Sequence, residues 1–209
     1  MISSDRRLYG ILDLGYVRPE DSLSMTRRMI EGGVDILQLR AKSQSLQTIR
    51  DVARAVAPAC RESGLLFILN DHPQLVGETG ADGVHVGQDD MPVAAVRKIV
   101  GADALIGLST HSLTQALAAS DGGPDYIGFG PVFSTPTKPD YQPVGLGAIA
   151  EVHRRVPLPV FCIGGIKREN LREVLAAGAV RAVIVSGILQ AEDPAAYCRE
   201  CAGILRGGT

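Results

Sequence analysis

The sequence predicts a (β/α)8 barrel, and three observations carry that expectation. Short apolar runs rich in β-branched residues recur eight times: LYGILDL (8–14), VDILQLR (34–40), LLFILND (65–71), DGVHVG (82–87), ALIGLST (104–110), DYIGFG (125–130), PVFCIGG (159–165) and AVIVSG (182–187). Most are continuous rather than alternating, which marks strands covered on both faces, as in a parallel sheet. Three phrases, EGGVDILQLR, ETGADGVHVG and AAGAVRAVIVSG, repeat a helix end, a glycine and a new strand, the chemistry of an αβ loop. A doubly wound open sheet uses the same alternation, but eight strand–helix units favour closure into a barrel.

Between the runs lie segments with helical spacing. SMTRRMIEGG follows the first strand, and LQTIRDVARAVAPACRESG follows the second, with Ile49, Val52, Val56 and Ala59 on one stripe and Gly64 as a stop. HPQLVGETG is a short helical segment after the third strand. MPVAAVRKIVG, SLTQALAAS, LGAIAEVHRR and ENLREVLAAG follow the next four, and a helical carboxyl-terminal segment closes the chain. No linker or low-complexity stretch interrupts the pattern, so residues 1–209 read as one barrel domain.

Composition narrows the function. Of 209 residues 45% are hydrophobic, enough for a substantial core, and the formal charge of -2 leaves no basic footprint for nucleic acid or an anionic membrane. With no tryptophan and few aromatics, base stacking is not an expected use of the surface. MISSDRRLYGILDL lacks the apolar stretch of a signal peptide and no run is long enough to span a bilayer, so a cytoplasmic location is expected. Cys198 and Cys201 form a C-x-x-C in a helical segment with no second ligand pair nearby, and buried thiols are the expected reading. The oligomeric state stays open, a homo-oligomer included.

Polar residues collect where the strands end. In order these are Asp13; Gln38, Arg40 and Lys42; Asn70 and Asp71; Gln88, Asp89 and Asp90; Ser109 and His111; Ser134 to Lys138; Gly164 and Gly165; Ser186 and Gly187. The strand starts read as Leu, Val, Ala or Gly. In a parallel barrel the βα loops meet at the carboxyl ends of the strands, so this asymmetry points to an active site there.

Asp71 and Asp90 follow neighbouring strands and can reach one side of the mouth, where two carboxylates suit a hard cation such as Mg2+. The structural alternative is that Asp71 caps a turn and Asp90 the helix opening at Met91-Pro92. Arg40 and Lys42 straddle one strand end, and Lys138 sits across the rim. They suit a polyphosphate, although surface salt bridging would need no ligand. IGGI (163–166) and VSGI (185–188) end the last two strands, where a barrel builds a phosphate site from backbone N–H groups; a plain turn is the alternative for each. Two anion sites facing each other across one mouth suggest a transferase that joins two phosphorylated groups.

QLRAK (38–42), ILNDHPQLV (68–76), GADGVHVGQDDMP (80–92), IGLSTHS (106–112), GFGPVFSTPTK (128–138), IGGI and VSGI together resemble the thiamine phosphate synthase family, in order through nearly the whole chain. The resemblance implies coupling of 4-amino-2-methyl-5-hydroxymethylpyrimidine diphosphate to 4-methyl-5-hydroxyethylthiazole phosphate, with release of diphosphate. It implies Mg2+ on Asp71 and Asp90. Gln38, Arg40, Lys42, Asn70, Ser109 and Lys138 would bind the pyrimidine diphosphate, with Arg40, Lys42, Ser109 and Lys138 also serving catalysis. Thr135, Thr137, Gly165, Val185 and Ser186 match the positions that hold the thiazole phosphate. The chain departs from the family pattern at Ala41, where an acidic residue is usual, and at Leu12, where Thr is common. Two other readings share the fold. A thiazole tautomerase would use His111 as acid or base and leave the metal pair and the cations idle. A non-catalytic barrel would bind a phosphorylated metabolite without turning it over.

Overall fold

The structure is a computed structural model and describes residues 2–134 and 142–207. Eight parallel strands close into a barrel in sequence order. They are β1 (Leu8–Asp13), β2 (Ile36–Arg40), β3 (Leu66–Asn70), β4 (Gly83–Val86), β5 (Leu105–Thr110), β6 (Tyr126–Phe129), β7 (Val160–Cys162) and β8 (Ala182–Ile184). The ring closes where Leu8, Tyr9 and Gly10 of β1 lie opposite Ala182, Val183 and Ile184 of β8.

Helices lie between the strands and cover the ring. They are α1 (Ser22–Glu31), α2 (Leu46–Ser63), α3 (Val76–Thr79), α4 (Val93–Val100), α5 (Leu113–Asp121), α6 (Ile149–Arg155), α7 (Leu171–Ala176), α8 (Ser186–Leu189) and α9 (Pro194–Leu205). The short segment after β3 is a 3-10 turn, Pro73–Leu75, running into α3. In α2 the Ser45 hydroxyl accepts from the Thr48 N–H, and Gly64 ends the helix in a left-handed conformation at φ 72°. The buried stripe of α2 is Ile49, Val52, Ala53, Val56, Ala57 and Cys60, so Cys60 rather than the expected Ala59 completes it.

Two cores result. The larger lies between the outer face of the sheet and the helices and includes Leu8, Leu37, Phe67, Val84, Ile106 and the buried Cys198 and Cys201. The smaller fills the barrel, from Tyr9, Ile11, Ile36, Ile68, Leu105, Tyr126, Phe161 and Val183. Phe161 meets Tyr9 edge-on at 5.4 Å and Tyr126 edge-on at 5.6 Å between ring centroids, a favoured aromatic geometry. Inward and outward residues alternate along each strand, so the aromatic plug closes the barrel below and leaves the carboxyl ends open above. Among the described residues no helix is long and apolar enough to cross a membrane.

The expectation of apolar strand starts is corrected at three places. Asp35, Asp82 and Asp125 stand immediately before β2, β4 and β6. The Asp35 carboxylate accepts from the N–H groups of Arg7 and Leu8, that of Asp82 from Phe67, and that of Asp125 from Ile106. Each therefore stitches its own strand to the start of the preceding one, satisfying backbone donors at the barrel's lower rim.

Candidate active site

A pocket opens at the carboxyl ends of the strands, floored by Tyr9, Gln38, His85 and Tyr126 and walled by Arg40, Asn70, Ser109, His111, Gly165, Val185 and Ser186. Most of the predicted site residues within the described chain thus line one cavity. Thr135, Thr137 and Lys138 lie outside the described residues. Lys42, Asp71 and Asp90 stand together beside the pocket, where Lys42 Nζ is 3.7 Å from Asp71 Oδ2.

The floor is a chain of hydrogen bonds built from alternate strand residues. Gln38 Nε2 donates to the Tyr9 hydroxyl at 2.7 Å, and the Tyr9 and Tyr126 hydroxyls are 3.0 Å apart. Tyr126 Oη lies 3.2 Å from His85 Nδ1, and His85 Nε2 lies 3.0 Å from the Ser109 hydroxyl. Burial pushes both tyrosines well above the ordinary phenol range, so the hydroxyls stay protonated. Hydroxyls can donate or accept, so the floor can offer either to a polar ligand. Gly107 makes room for this chain: a methyl group there would sit 2.3 Å from His85 Nδ1 and 2.4 Å from Tyr126 Oη.

On the wall, Arg40 ion-pairs through Nη1 with Oδ2 of the buried Asp13, whose other oxygen accepts from the Gly15 N–H at 2.9 Å. Asp13 thereby fixes the guanidinium at the pocket edge with donors left over for an anion. Gln88 Nε2 donates to the Ser109 carbonyl at 2.7 Å. The His111 ring donates from Nδ1 to the Gly130 carbonyl at 2.6 Å, and its backbone N–H donates to Gln115 Oε1.

Asp71 is the one non-glycine residue among those described with a positive φ, 66°. Such a conformation is uncommon outside Asn, Asp and His, and an outlier of this kind at a strand end is a reason to look for function. Burial raises the Asp71 carboxyl above the usual carboxylate range; the neighbouring Asp90 adds to this, while Lys42 opposes it. Asp90 does not cap α4, whose first turn has Pro92 at its N-cap and no side-chain cap. Its Oδ2 accepts instead from the Gly87 N–H at 2.6 Å. Two carboxylates, one partly desolvated and both repelling, are a hard-oxygen donor set that a divalent cation would relieve. Among the described residues no group of three or more His, Cys, Asp or Glu side chains is placed to hold a metal ion by itself.

Opposite, the loop after β7 carries two consecutive left-handed glycines, Gly164 at φ 97° and Gly165 at φ 65°. Their Cα atoms press so closely on the loop after β6 that added methyl groups would lie 2.3 Å from Pro131 and 2.7 Å from Phe133. Phe133 N–H donates to the Gly164 carbonyl at 3.0 Å. After β8 the chain turns at once into α8, bringing Ser186 to the pocket edge.

The sequence matches the family described as thiamine monophosphate synthase across residues 8–188. The chain belongs to the thiamine monophosphate synthase family. Among similar proteins, thiamine-phosphate synthase of Shouchella clausii is 44% identical over 188 residues, 90% of each chain. That of Laribacter hongkongensis is 46% identical over 179 residues, covering 85% of this chain and 84% of the relative. The solved thiamine phosphate pyrophosphorylase of Pyrococcus furiosus superposes with a TM-score of 0.89 at 32% identity, over 97% of this chain and 96% of its own. A 3-hexulose-6-phosphate synthase with TM-score 0.67 and 19% identity shares the fold alone.

Membership of the thiamine monophosphate synthase family agrees with the quoted strand-end motifs. Sequence reading missed Tyr9, His85 and Tyr126, and the pairing of Asp13 with Arg40. The signal available was a period of two: Tyr9, Ile11 and Asp13, Gln38 and Arg40, Tyr126 and Gly128 all face inward along runs that look continuously apolar.

Proposed function

We propose that this chain couples 4-amino-2-methyl-5-hydroxymethylpyrimidine diphosphate to 4-methyl-5-hydroxyethylthiazole phosphate, giving thiamine phosphate and diphosphate. Family membership supports the coupling. The observation that carries the finer reading is the grouping of Asp71, Asp90, Lys42 and the Asp13-held Arg40 at one side of the mouth. Acidic and basic groups at one edge suit a bound cation with a diphosphate.

Asp71 and Asp90 would hold Mg2+, which when bound supplies positive charge against a departing diphosphate. Arg40 and Lys42, joined by Lys138, would stabilise the charge that develops as the C–O bond breaks. Gln38 and the Tyr9–Tyr126–His85 floor would meet the polar edge of the aminopyrimidine, with Asn70 and Ser109 on the wall. The electron-rich pyrimidine favours a methylene cation, which the thiazole nitrogen attacks through its lone pair, so no general base is needed. Thr135, Thr137, Gly165, Val185 and Ser186 would hold the thiazole phosphate. Fixing both partners in line supplies much of the remaining rate.

The test is incubation of both substrates with added Mg2+ and after chelation, with mass detection of thiamine phosphate. Product that depends on Mg2+ is expected. Equal product after chelation would remove the cation's role. No product under either condition would return the chain to an isomerase or a binding barrel.

A further inference from the structure

We infer that Asn170 is a positioning residue for the thiazole phosphate, an inference that rests on the reading of Gly165, Val185 and Ser186 as that site. Asn170 stands at the start of α7, where an Asn side chain ordinarily accepts from the helix's own first N–H groups. Here it makes no such cap. Its carboxamide turns back onto the loop after β7. Nδ2 donates to the Gly165 carbonyl at 2.9 Å, and Oδ1 accepts from the Lys167 N–H at 2.8 Å. A carbonyl needs a donor and an N–H needs an acceptor, so these two partners fix which way the amide lies.

The consequence follows from the planar trans peptide. Its C=O and N–H point in opposite directions. By holding the Gly165 carbonyl on the α7 side, Asn170 turns the Ile166 N–H away from α7. The preceding peptide is held in the same way, because the Gly164 carbonyl accepts from Phe133 N–H. Gly165 and Ile166 both line the pocket. Among the described residues neither of their N–H groups meets a protein acceptor. Two backbone donors are thus pre-oriented at the place where the reading puts the phosphate. Without Asn170 the Gly165–Ile166 peptide, flanked by left-handed glycine backbone, could rotate and present a carbonyl oxygen to the anion instead.

The far end of the loop is secured separately. The Tyr197 hydroxyl accepts from the Arg168 N–H at 2.8 Å, and the Arg168 guanidinium stacks 5.0 Å above the Tyr197 ring. Loss of the Asn170 contacts therefore leaves the loop anchored and changes the direction of one peptide.

Asn170→Asp is the most informative variant, since it keeps shape and the bond to Lys167 while placing an acceptor against the Gly165 carbonyl. Steady-state coupling is measured while each substrate is varied in turn, with a thermal melt of each protein. The KM for the thiazole phosphate should rise about 10-fold or more, the worth of one hydrogen bond to a charged group. The KM for the pyrimidine diphosphate should stay near the parent value, and kcat should fall less than the thiazole KM rises. Asn170→Ala, which removes both contacts without adding charge, should show the same split more weakly; it carries the test alone if the Asp variant does not fold. An unchanged thiazole KM in an active enzyme, or both KM values and the melting temperature moving together, would overturn the inference and leave the proposed function intact. A parent protein that makes no thiamine phosphate would overturn both.

Discussion

At the lower rim of the barrel, Asp35, Asp82 and Asp125 each bind the backbone of the preceding strand. Asp35 accepts from two backbone N–H groups and Asp82 and Asp125 from one each, and Asp35 and Asp125 also pair with Arg206 and Arg97 at 2.8 and 2.7 Å. At the upper rim, Asp71 has Lys42 at 3.7 Å, sits in a left-handed conformation and faces another carboxylate in Asp90. The same functional group stands at both ends of one sheet. Carboxylates that bridge to the backbone of the preceding strand hold the fold together. Carboxylates that repel one another form the edge where the proposed cation would sit. What distinguishes structure from site is how well each group is satisfied, and residue type alone does not show it.

The largest expected effect is at the upper rim. Asp71→Asn, a residue that tolerates the left-handed backbone, should lower Mg2+-dependent coupling by about 100-fold or more, on the scale of losing a charge-stabilising group. It should also raise the melting temperature of the metal-free protein slightly at neutral pH, because a half-buried, repelled charge is removed. The folded-state pKa of Asp71 is raised, so its protonated form is favoured by folding. That stability is present below the unfolded pKa and lost as pH rises through the folded value. The advantage of the Asn variant should therefore shrink on acidification. Retained turnover with a drop in stability would put Asp71 in the same class as the lower-rim residues.

The next effect is the mirror image. Asp125→Ala removes the side-chain acceptor of the Ile106 N–H and the carboxylate partner of Arg97, which keeps its carbonyl acceptors, and should cost about 1–3 kcal/mol of folding stability, read from urea unfolding. Coupling per folded molecule should not change. A selective loss of activity would show that the rims are not independent.

A smaller effect would sharpen the comparison. The lower-rim device follows a pattern, a left-handed glycine two residues before each Asp: Gly33, Gly80 and Gly123 at φ 79°, 77° and 81°. Before β8 the glycine is Gly178 at φ 102°, but the place of the carboxylate is taken by Val180, 39% exposed. Beside it Arg181 has a buried Nε with no protein partner among the described residues. Burial, and then the charge of Arg7, hold its pKa below the usual guanidinium value. Val180→Asp should supply both a strand stitch and a counter-charge, raising stability by about 0.5–1.5 kcal/mol. No gain in urea midpoint would mean that the turn into β8 lacks the geometry of those before β2, β4 and β6.

The barrel was legible because eight apolar runs at regular spacing leave few other solutions, and the upper rim because Gln38, Arg40, Asn70, Asp71 and Ser109 stand at strand ends. Runs were drawn too long where backbone conformation changes without a change in polarity. The run at 159–165 gives a strand of only Val160–Cys162, since Gly164 and Gly165 leave extended geometry. VSGI, for which a plain turn is the alternative to a phosphate site, opens α8. The pocket floor was hidden because Tyr9 and Tyr126 count as apolar in a pattern, although their hydroxyls form the buried polar chain. The lower-rim aspartates were overlooked because spacing does not reveal which backbone N–H a carboxylate will meet.

The most direct measurement of the central claim is binding of Mn2+, as a spectroscopic stand-in for Mg2+, in the presence of diphosphate, followed by electron paramagnetic resonance. The parent protein and Asp125→Ala should bind alike, while Asp71→Asn and Asp90→Asn should each weaken binding about 10-fold or more. Equal binding by all four proteins would contradict a cation held between Asp71 and Asp90.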